Sequence, residues 1–223
     1  MEKERQVLVV FPHPDDEAFG VSGTIATHIN NGTPVTYACL TLGEMGRNMG
    51  NPPFANRETL PEIRKKELKN AANMLGITDL RMLGYRDKTI EFVDDDILTN
   101  HMSSLLQELN PSLVITFYPG YSVHPDHEAT GAAVVRAVGK LPSKDRPKLH
   151  CVAFSNNCID DLGQPDILHD VSAVAHQKIA TIKAHTSQTQ LMVKGMEEKW
   201  KNNDPQIVAW INNERFWTYK FNN

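Results

Sequence analysis

Two short segments combine histidine, proline and acidic residues at spacings that suit a metal ion. The first, at residues 13–17, reads His-Pro-Asp-Asp-Glu, and the second, at residues 124–127, reads His-Pro-Asp-His. Zinc in a hydrolase takes three protein ligands from His and Asp or Glu and keeps one open position for water. His13 and Asp16 can face one side of a turn, and His127 would supply the third ligand. The spacing therefore predicts a zinc site, although iron(II) or manganese suits the same ligands.

Three further side chains of these motifs could carry out hydrolysis beside the metal. Asp15 adjoins the predicted ligand Asp16, and adjacent residues on a turn point in different directions. Its carboxylate is thus a candidate general base for an attacking water. Asp126 would orient and charge the His124 imidazole, and His124 would stabilise an oxyanion or protonate a leaving group. This set favours a catalytic site over a closed, four-ligand structural one.

Other interpretations of the same residues are weaker. Acidic residues at a helix start are favourable through the helix dipole alone, and a lone His-Pro-Asp can be a simple turn. Two such motifs, each ending in ligand-type residues, make that explanation insufficient. A nucleotide-binding module is disfavoured because residues 20–23 read Gly-Val-Ser-Gly, without a GxGxxG or P-loop pattern. The remaining histidines fit structural or surface positions, except His185, which could reach the site.

Short β-rich runs alternate with longer helical patterns along the chain. The predicted strands are residues 6–11, 35–42, 80–83 and 112–118. The predicted helices are residues 17–30, a segment that starts with a capping box at 59–62 and ends at Leu75, residues 95–109, and residues 127–138. Beyond them, residues 150–154 and 167–171 could be strands, residues 172–185 and 191–201 helices, and the aromatic tail at 216–219 would add a strand or pack on the sheet.

This alternation predicts a Rossmann-like, doubly wound α/β fold with a mostly parallel sheet and helices on both faces. In the strand order 3-2-1-4-5, the first and fourth strands are neighbours. Ligands bind where the chain reverses direction between such strands, just outside their carboxyl ends. The two motifs follow the first and fourth strands, so both loops should face one crevice.

Composition limits the classes of protein to consider. The 223 residues suit one domain spanning 1–223, and 40% of them are hydrophobic. A net charge of −4 gives no basic footprint for nucleic acid, and no apolar run is long enough for a membrane span. The N-terminus lacks a secretory signal, and three cysteines without a CxxC spacing suit free thiols in the cytoplasm. The sequence leaves a homo-oligomer open.

The chain resembles a known family, the LmbE-like (PIG-L) zinc-dependent N-acetylglucosamine deacetylases. The resemblance rests on the two motifs and covers about residues 5–190. It extends to segments 41–44, 63–76, 84–87 and 183–188. The resemblance implies a fold and a deacetylase activity on an N-acetylated sugar, which is a small-molecule substrate.

The resemblance also implies roles for individual residues. It makes His13, Asp16 and His127 the zinc ligands, Asp15 the general base, and His124 with Asp126 the rest of the catalytic set. It further implies that the sugar contacts Glu44, Arg64 and Asp87. From its position alone, Arg64 would be a surface helix charge. Some relatives carry a tyrosine two residues before the second motif, where this chain has Ser122 beside Tyr121.

Within the family, the Gly- and Asn-rich segment 43–53 is similar to that of the bacillithiol biosynthesis deacetylases. Those enzymes remove acetate from N-acetylglucosaminyl-malate. The segment would form a mobile loop that borders the crevice and shapes substrate access. Alternatives on the same site are a deacetylase of chitin-type oligomers and an amidase of thiol-sugar conjugates.

Overall fold

The computed structural model describes residues 1–221 as an α/β protein built on a central sheet. The last two residues of the predicted 1–223 domain lie outside the described part of the chain. The strands of the sheet are β1 (Val7–Phe11), β2 (Val35–Cys39), β3 (Asp79–Met82), β4 (Leu113–Phe117), β5 (Lys148–Val152), β6 (Ile167–Asp170) and β7 (Asn213–Thr218).

The sheet is parallel except at one edge. Its strand order is β3-β2-β1-β4-β5-β7-β6. β1 pairs in parallel with both β2 and β4, whereas β7 pairs antiparallel with β5 and with β6. The predicted order 3-2-1-4-5 is therefore confirmed, and the aromatic tail adds a strand, β7, between β5 and β6.

Helices cover both faces of the sheet. They are α1 (Asp16–Gly20), α2 (Ser22–Asn30), α3 (Leu60–Leu75), α4 (Asp95–Leu109), α5 (Pro125–Gly139), α6 (Cys158–Leu162), α7 (Ala175–Ala184), α8 (Thr186–Lys201) and α9 (Pro205–Asn212). Short 3-10 turns lie at Ile90–Phe92, Ser143–Asp145 and Ser172–Val174.

The core is divided by the sheet into two layers. Alternate β1 side chains point to opposite faces, as the period of two in a strand requires. Val7 and Val9 pack with side chains of α2 and α3, and Leu8 and Val10 pack with side chains of α4 and α5. All four are buried, which explains why β1 reads as a continuous apolar run.

The prediction of one continuous helix over residues 17–30 is wrong. The helix is broken at Val21, whose φ of −142° and ψ of 1° are not helical. The second piece begins where Glu214 accepts hydrogen bonds from the backbone N–H groups of Gly23 (2.9 Å) and Thr24 (2.7 Å). Because Glu214 lies on β7, far away in sequence, local spacing could not reveal this break.

Two predicted helix starts also need correction. Thr59 does not cap α3 with its side chain. Asn56 organises this turn instead, since its Oδ1 atom accepts from the N–H groups of Glu58 (3.0 Å) and Thr59 (2.9 Å). The helix predicted from residue 127 starts earlier, at Pro125, a residue type that suits a first helical position. Across the described residues, no helix has the length and apolarity needed to cross a membrane.

Candidate active site

The two histidine motifs meet at the carboxyl ends of neighbouring strands. The first motif follows β1 and leads into α1, and the second follows the turn after β4 and begins α5. β1 and β4 are paired directly, with Val9 opposite Ile115. His124 has the extended φ and ψ of −125° and 132° that the following proline imposes. The predicted crevice at the switch point is thus present.

Three side chains converge in this crevice. The Nδ1 atom of His13 lies 3.2 Å from Nε2 of His127 and 3.5 Å from Oδ2 of Asp16. Nε2 of His127 lies 3.3 Å from Oδ1 of Asp16. The ring of His124 also offers a nitrogen within 4.8 Å of nitrogens of His13 and His127. Such a cluster of nitrogen and carboxylate donors can hold a metal ion.

The far nitrogen of each converging imidazole is held from behind. Nε2 of His13 lies 3.1 Å from Oδ2 of Asp126 and 3.2 Å from Oδ1 of Asp87. Nδ1 of His127 lies 3.1 Å from the backbone oxygen of Ser122. A carboxylate or carbonyl behind the ring is the usual support of a metal-binding histidine, because it fixes the tautomer and the ring orientation. His13, Asp87 and Asp126 also form a second potential ligand group, centred on that far nitrogen.

Asp126 therefore has a different partner from the one predicted. Besides His13, its carboxylate accepts from the backbone N–H groups of Lys88 (2.7 Å) and Ile90 (3.1 Å). The predicted pairing of its carboxylate with the His124 ring is wrong. Instead, the backbone N–H of Asp126 donates to Nδ1 of His124 (3.1 Å), because Asp126 lies on the first turn of α5, for which His124 is the N-cap.

The electrostatics of the cluster suit a cation. Burial alone would lower the pKa of His13, but the carboxylates of Asp126, Asp16 and Asp87 outweigh it and raise that pKa well above its ordinary value. Burial likewise opposes ionisation of Asp16, yet His127 and His13 hold the pKa of Asp16 below its usual range. Three carboxylates around one imidazole leave an excess of negative charge, which a bound metal ion would balance. The residues present thus fit a metal.

Asp15 lies beside this cluster in a strained backbone conformation. Its φ of 111° is in the region that favours glycine, and such residues cost of order 1–3 kcal/mol. Its Oδ2 atom accepts from Nη2 of Arg64 (3.0 Å). Burial raises the pKa of Asp15 to about 6, with Arg64 opposing and Asp16 adding to the rise. A carboxylate tuned toward neutral pH is suited to exchange protons with a substrate or water.

Arg64 is buried, contrary to the surface position that its helix pattern suggests. Only 3% of the residue is exposed. Its guanidinium donates to the backbone oxygens of Pro14 and Gly43, besides Asp15. Gly43 has a φ of 63°, and a side chain there would overlap this guanidinium. Because Gly43 in the turn after β2 has no side chain, there is room for Arg64 of α3 to reach the site.

Glu44 and Asp87 lie next to each other at the edge of the cluster. Oε2 of Glu44 accepts from the backbone N–H of Asp87 (3.1 Å), and Oδ2 of Asp87 accepts from that of Met45 (2.7 Å). Asp87 is buried against His13, whereas Glu44 is half-buried. The structure therefore brings all nine predicted site residues into one region, with Asp87 and Asp126 behind the ring of His13.

Sequence reasoning missed the residues beneath Asp15. Glu17 is buried, and its Oε2 atom accepts from the N–H of Asp15 (3.1 Å) and the hydroxyl of Tyr37 (3.0 Å). Its Oε1 atom lies 2.6 Å from Nε2 of His185. Glu17 ends the first motif, which is a usable signal, and the sequence indicates only that His185 could reach the site. Tyr37 had no signal, since it lies within a strand that reads as core.

Hydrogen bonds attach the segment at 43–53 to helix α8. Nδ2 of Asn48 donates to the backbone oxygen of Gln188 (2.9 Å), and Nε2 of Gln188 donates to that of Asn48 (2.9 Å). Asn51 and Gln190 form a similar reciprocal pair. Tyr121 lies away from the cluster, packed edge-on against Tyr118.

A cavity of about 690 Å³ opens on one side of the cluster. Asp16 and His127 line one part of it. Most of the remaining wall is apolar and includes Phe19, Phe154 and Trp210. Another wall residue, Phe117, stacks on the His127 ring with 4.1 Å between centroids. The cluster of potential metal ligands is therefore accessible from a pocket large enough for a small organic molecule.

Known proteins match this chain in sequence and in structure. A protein of Bacillus cereus named "Probable N-acetyl-alpha-D-glucosaminyl L-malate deacetylase 2" is 54% identical over 218 residues, which cover 98% of this chain and 99% of that protein. An N,N'-diacetylchitobiose deacetylase from Pyrococcus horikoshii superposes with a TM-score of 0.73 at 24% identity, over 97% of this chain and 84% of that one.

The fold itself also occurs with another activity. A 4-carboxy-2-hydroxymuconate hydratase from Pseudomonas putida superposes with a TM-score of 0.70 at 18% identity, over 98% of each chain. Structural similarity at such low sequence identity shows a shared fold but not a shared reaction. The family of this chain is therefore assigned from the sequence matches. Residues 8–138 match the family model described as GlcNAc-PI de-N-acetylase, and with the B. cereus relative this match shows that the chain belongs to the PIG-L family.

Proposed function

We propose that the chain is a single-domain, zinc-dependent N-deacetylase that removes the acetyl group from N-acetylglucosaminyl-malate, a step of bacillithiol biosynthesis. The observation that carries the reaction class is the position of Asp15. It is a carboxylate beside a cluster of metal-binding donors, held by Arg64 and left out of that cluster. The substrate follows the name of the B. cereus relative.

The proposed metal ligands are His13 through Nδ1, Asp16 through its carboxylate, and His127 through Nε2. The donor atoms of these three residues lie 3.2–3.5 Å from one another. The other ring nitrogen of each histidine already has a hydrogen-bond partner within the protein. Two imidazoles and one carboxylate suit zinc, and iron(II) suits them as well. Zinc held by these residues would supply Lewis acidity, which would polarise an amide carbonyl and make a water molecule more acidic.

Asp15 acts as the general base in this proposal. Its carboxylate accepts a proton from the water that attacks the acetyl carbon, and returns that proton to the sugar nitrogen. The C–O bond forms, the C–N bond breaks, and the products are acetate and the free amine. Arg64 favours the ionised carboxylate and orients it, since its guanidinium donates to Oδ2 (3.0 Å).

His124 acts as a hydrogen-bond donor toward the oxyanion. Its Nδ1 atom accepts from the N–H of Asp126, so the proton of the neutral ring lies on Nε2. Burial, followed by the nearby His13 and His127, lowers the pKa of His124. A neutral ring with its N–H fixed on the outer nitrogen can stabilise developing negative charge without protonating first. This favours oxyanion stabilisation over protonation of the leaving group.

The sugar is proposed to contact Glu44, Arg64 and Asp87. Glu44 is half-buried and the most open of the three. Arg64 and Asp87 are 3% and 4% exposed and have partners inside the protein, so they also shape the site from behind. Carboxylates at a crevice suit the hydroxyl groups of a sugar because they accept hydrogen bonds.

The proposed compartment is the cytoplasm. Cys39, Cys151 and Cys158 are buried free thiols, which is the usual state of cysteine in a reducing compartment.

Release of the free amine by the zinc-loaded protein, with acetate measured as the second product from the acetylated sugars, tests the proposal. The panel should contain N-acetylglucosaminyl-malate, N-acetylglucosamine oligomers and an N-acylated thiol-sugar conjugate. The proposal predicts the highest kcat/KM on the malate-linked sugar. Preference for oligomers would indicate a chitin-type deacetylase, and preference for the conjugate an amidase. Absence of turnover on all three with stoichiometric zinc would exclude the reaction class.

A further inference from the structure

A buried carboxylate beneath the proposed base receives three hydrogen bonds from separate parts of the chain. Glu17 is 1% exposed. Its Oε2 atom accepts from the backbone N–H of Asp15 (3.1 Å) and from the Tyr37 hydroxyl (3.0 Å). Its Oε1 atom accepts from Nε2 of His185 (2.6 Å), which is fully buried. The carboxylate therefore joins α1, β2 and the junction of α7 with α8.

The contact with Asp15 is made to its backbone, in the conformation that is costly. Asp15 has a φ of 111°, and its carbonyl accepts from the N–H groups of Ala18 (2.9 Å) and Phe19 (3.3 Å). The backbone N–H of Asp15, on the other side of the residue, donates to the Glu17 carboxylate. A strained φ persists only when the surroundings over-determine it. Between these bonds and Arg64 on the side chain, little freedom is left to the Asp15 carboxylate.

His185 gives the buried carboxyl group of Glu17 a hydrogen-bond partner at 2.6 Å. An isolated carboxylate in an apolar interior is expensive, and a buried charge persists when it is paired. The next turn of the chain repeats the arrangement, since Ser187 donates from its backbone N–H (2.6 Å) and its hydroxyl (2.7 Å) to Glu67. Glu67 lies on α3, one turn after Arg64. The turn at residues 185–187 thus contacts two buried carboxylates, Glu17 and Glu67.

We infer that Glu17 and His185 are positioning residues that hold the proposed base Asp15 in its left-handed backbone conformation. The inference rests on the proposed function for its kinetic consequence. The effect acts on the orientation of the base, while the metal donors His13 and His127 keep their own supports. Loss of the pair should therefore reduce kcat more than zinc content or KM.

Glu17→Gln is the most direct variant. A glutamine has one oxygen acceptor, and its amide group would face at least one of the three N–H and O–H donors that now point at Glu17. We expect kcat to fall by about 10- to 100-fold, the range seen when supports of active-site ligands are removed. Zinc content and KM should stay near the wild-type values.

His185 provides a second pair of variants. His185→Ala leaves Glu17 without its partner, and kcat should fall as in Glu17→Gln. His185→Gln keeps an N–H donor for Glu17 and should recover much of that loss. His185→Leu is the space-filling control: leucine has no hydrogen-bond donor and should not recover kcat, whereas it would do so if the residue merely filled space.

Glu67→Gln is the matched control. Glu67 is a buried carboxylate bonded to the same turn, but it does not contact Asp15. The Glu67→Gln substitution should lower the midpoint of thermal unfolding and leave kcat close to the wild-type value. If Glu67→Gln and Glu17→Gln reduced kcat equally, or if the loss in Glu17→Gln followed zinc loss, the positioning role would be wrong.

A crystal structure of zinc-loaded Glu17→Gln separates this inference from the proposed function. The inference predicts that Asp15 leaves the region of positive φ, with His13 and His127 unmoved. An unchanged φ at Asp15 would overturn it. This measurement needs no turnover, so it stands even if the wild-type protein releases no acetate from any acetylated sugar.

Discussion

Asp15 combines three features that suit a general base: a strained backbone, an arginine partner and a pKa raised by burial to about 6. Zinc beside it would add to the pull of Arg64 and lower that pKa. The carboxylate would then be ionised at neutral pH and still close enough in pKa to exchange protons. The proposed proton transfer therefore depends on a single side chain, the carboxylate of Asp15.

Asp15→Asn removes the base with little change of shape. Asparagine tolerates positive φ, so the backbone should be retained. We expect kcat to fall by about 10²- to 10⁴-fold, as is usual when a general base is lost. Zinc content, measured by elemental analysis, should persist. Loss of zinc together with activity would mean that Asp15 is a ligand instead.

Asp126→Asn tests the support behind His13. The substitution weakens the carboxylate contact with Nε2, so zinc affinity should fall by about 10- to 100-fold in a chelator competition. Asp94→Asn is the control, since Asp94 caps α4 away from the site and asparagine caps equally well. Equal zinc affinity in Asp126→Asn and the wild-type protein would refute the support.

The elements bring these residues together through the sheet order. The alternation of strands and helices was enough to predict that β1 and β4 are neighbours, and the pairing confirms it. The break at Val21 and the burial of Arg64 were not predictable. Both depend on partners remote in sequence, Glu214 on β7 and the turn at Gly43. Spacing within one element carries no information about such partners.

Gly43→Ala tests the close approach of the turn after β2 to α3. The new Cβ would overlap the Arg64 guanidinium, so Arg64 must move and Asp15 loses its partner. We expect lower kcat and a loss of stability greater than that in Gly84→Ala. Gly84 also has a positive φ, 78°, but no atom lies near its added Cβ.

Thermal unfolding and acetate release measure the two effects. Both alanine variants carry the backbone cost of an alanine at positive φ, which is about 1–2 kcal/mol. Only Gly43→Ala should also reduce kcat. A Gly43→Ala protein with the activity of Gly84→Ala would show that the Arg64 contact is dispensable.

Considered over the entire protein, stability should depend on pH through two buried histidines, His28 on α2 and His150 on β5. Burial lowers the pKa of His28 to about 4, with His169 adding to the effect and Glu4 opposing it. Burial lowers the pKa of His150 to about 4 as well. Their ordinary value is near 6.5, so the unfolded chain binds more protons than the folded chain below that pH.

The free energy of unfolding should therefore fall as the pH drops from about 6.5 to about 4. His28→Leu removes one of these groups, whose ring nitrogens have no hydrogen-bond partner among the described residues. Its stability should depend less on pH than that of the wild-type protein in denaturant titrations of the metal-free forms. Parallel curves for the two proteins over this range would contradict the assignment.

In the proposed reaction, His13, Asp16, His127 and Asp15 act together to hydrolyse the acetamide of a malate-linked glucosamine. The most direct measurement is acetate release from N-acetylglucosaminyl-malate by the zinc-loaded protein, by the same protein after chelation, and by zinc-loaded Asp15→Asn. The proposal predicts full turnover in the first sample, none in the second until zinc is added back, and a kcat about 10²- to 10⁴-fold lower in the third. Equal acetate release in all three samples, or none in any, would contradict it.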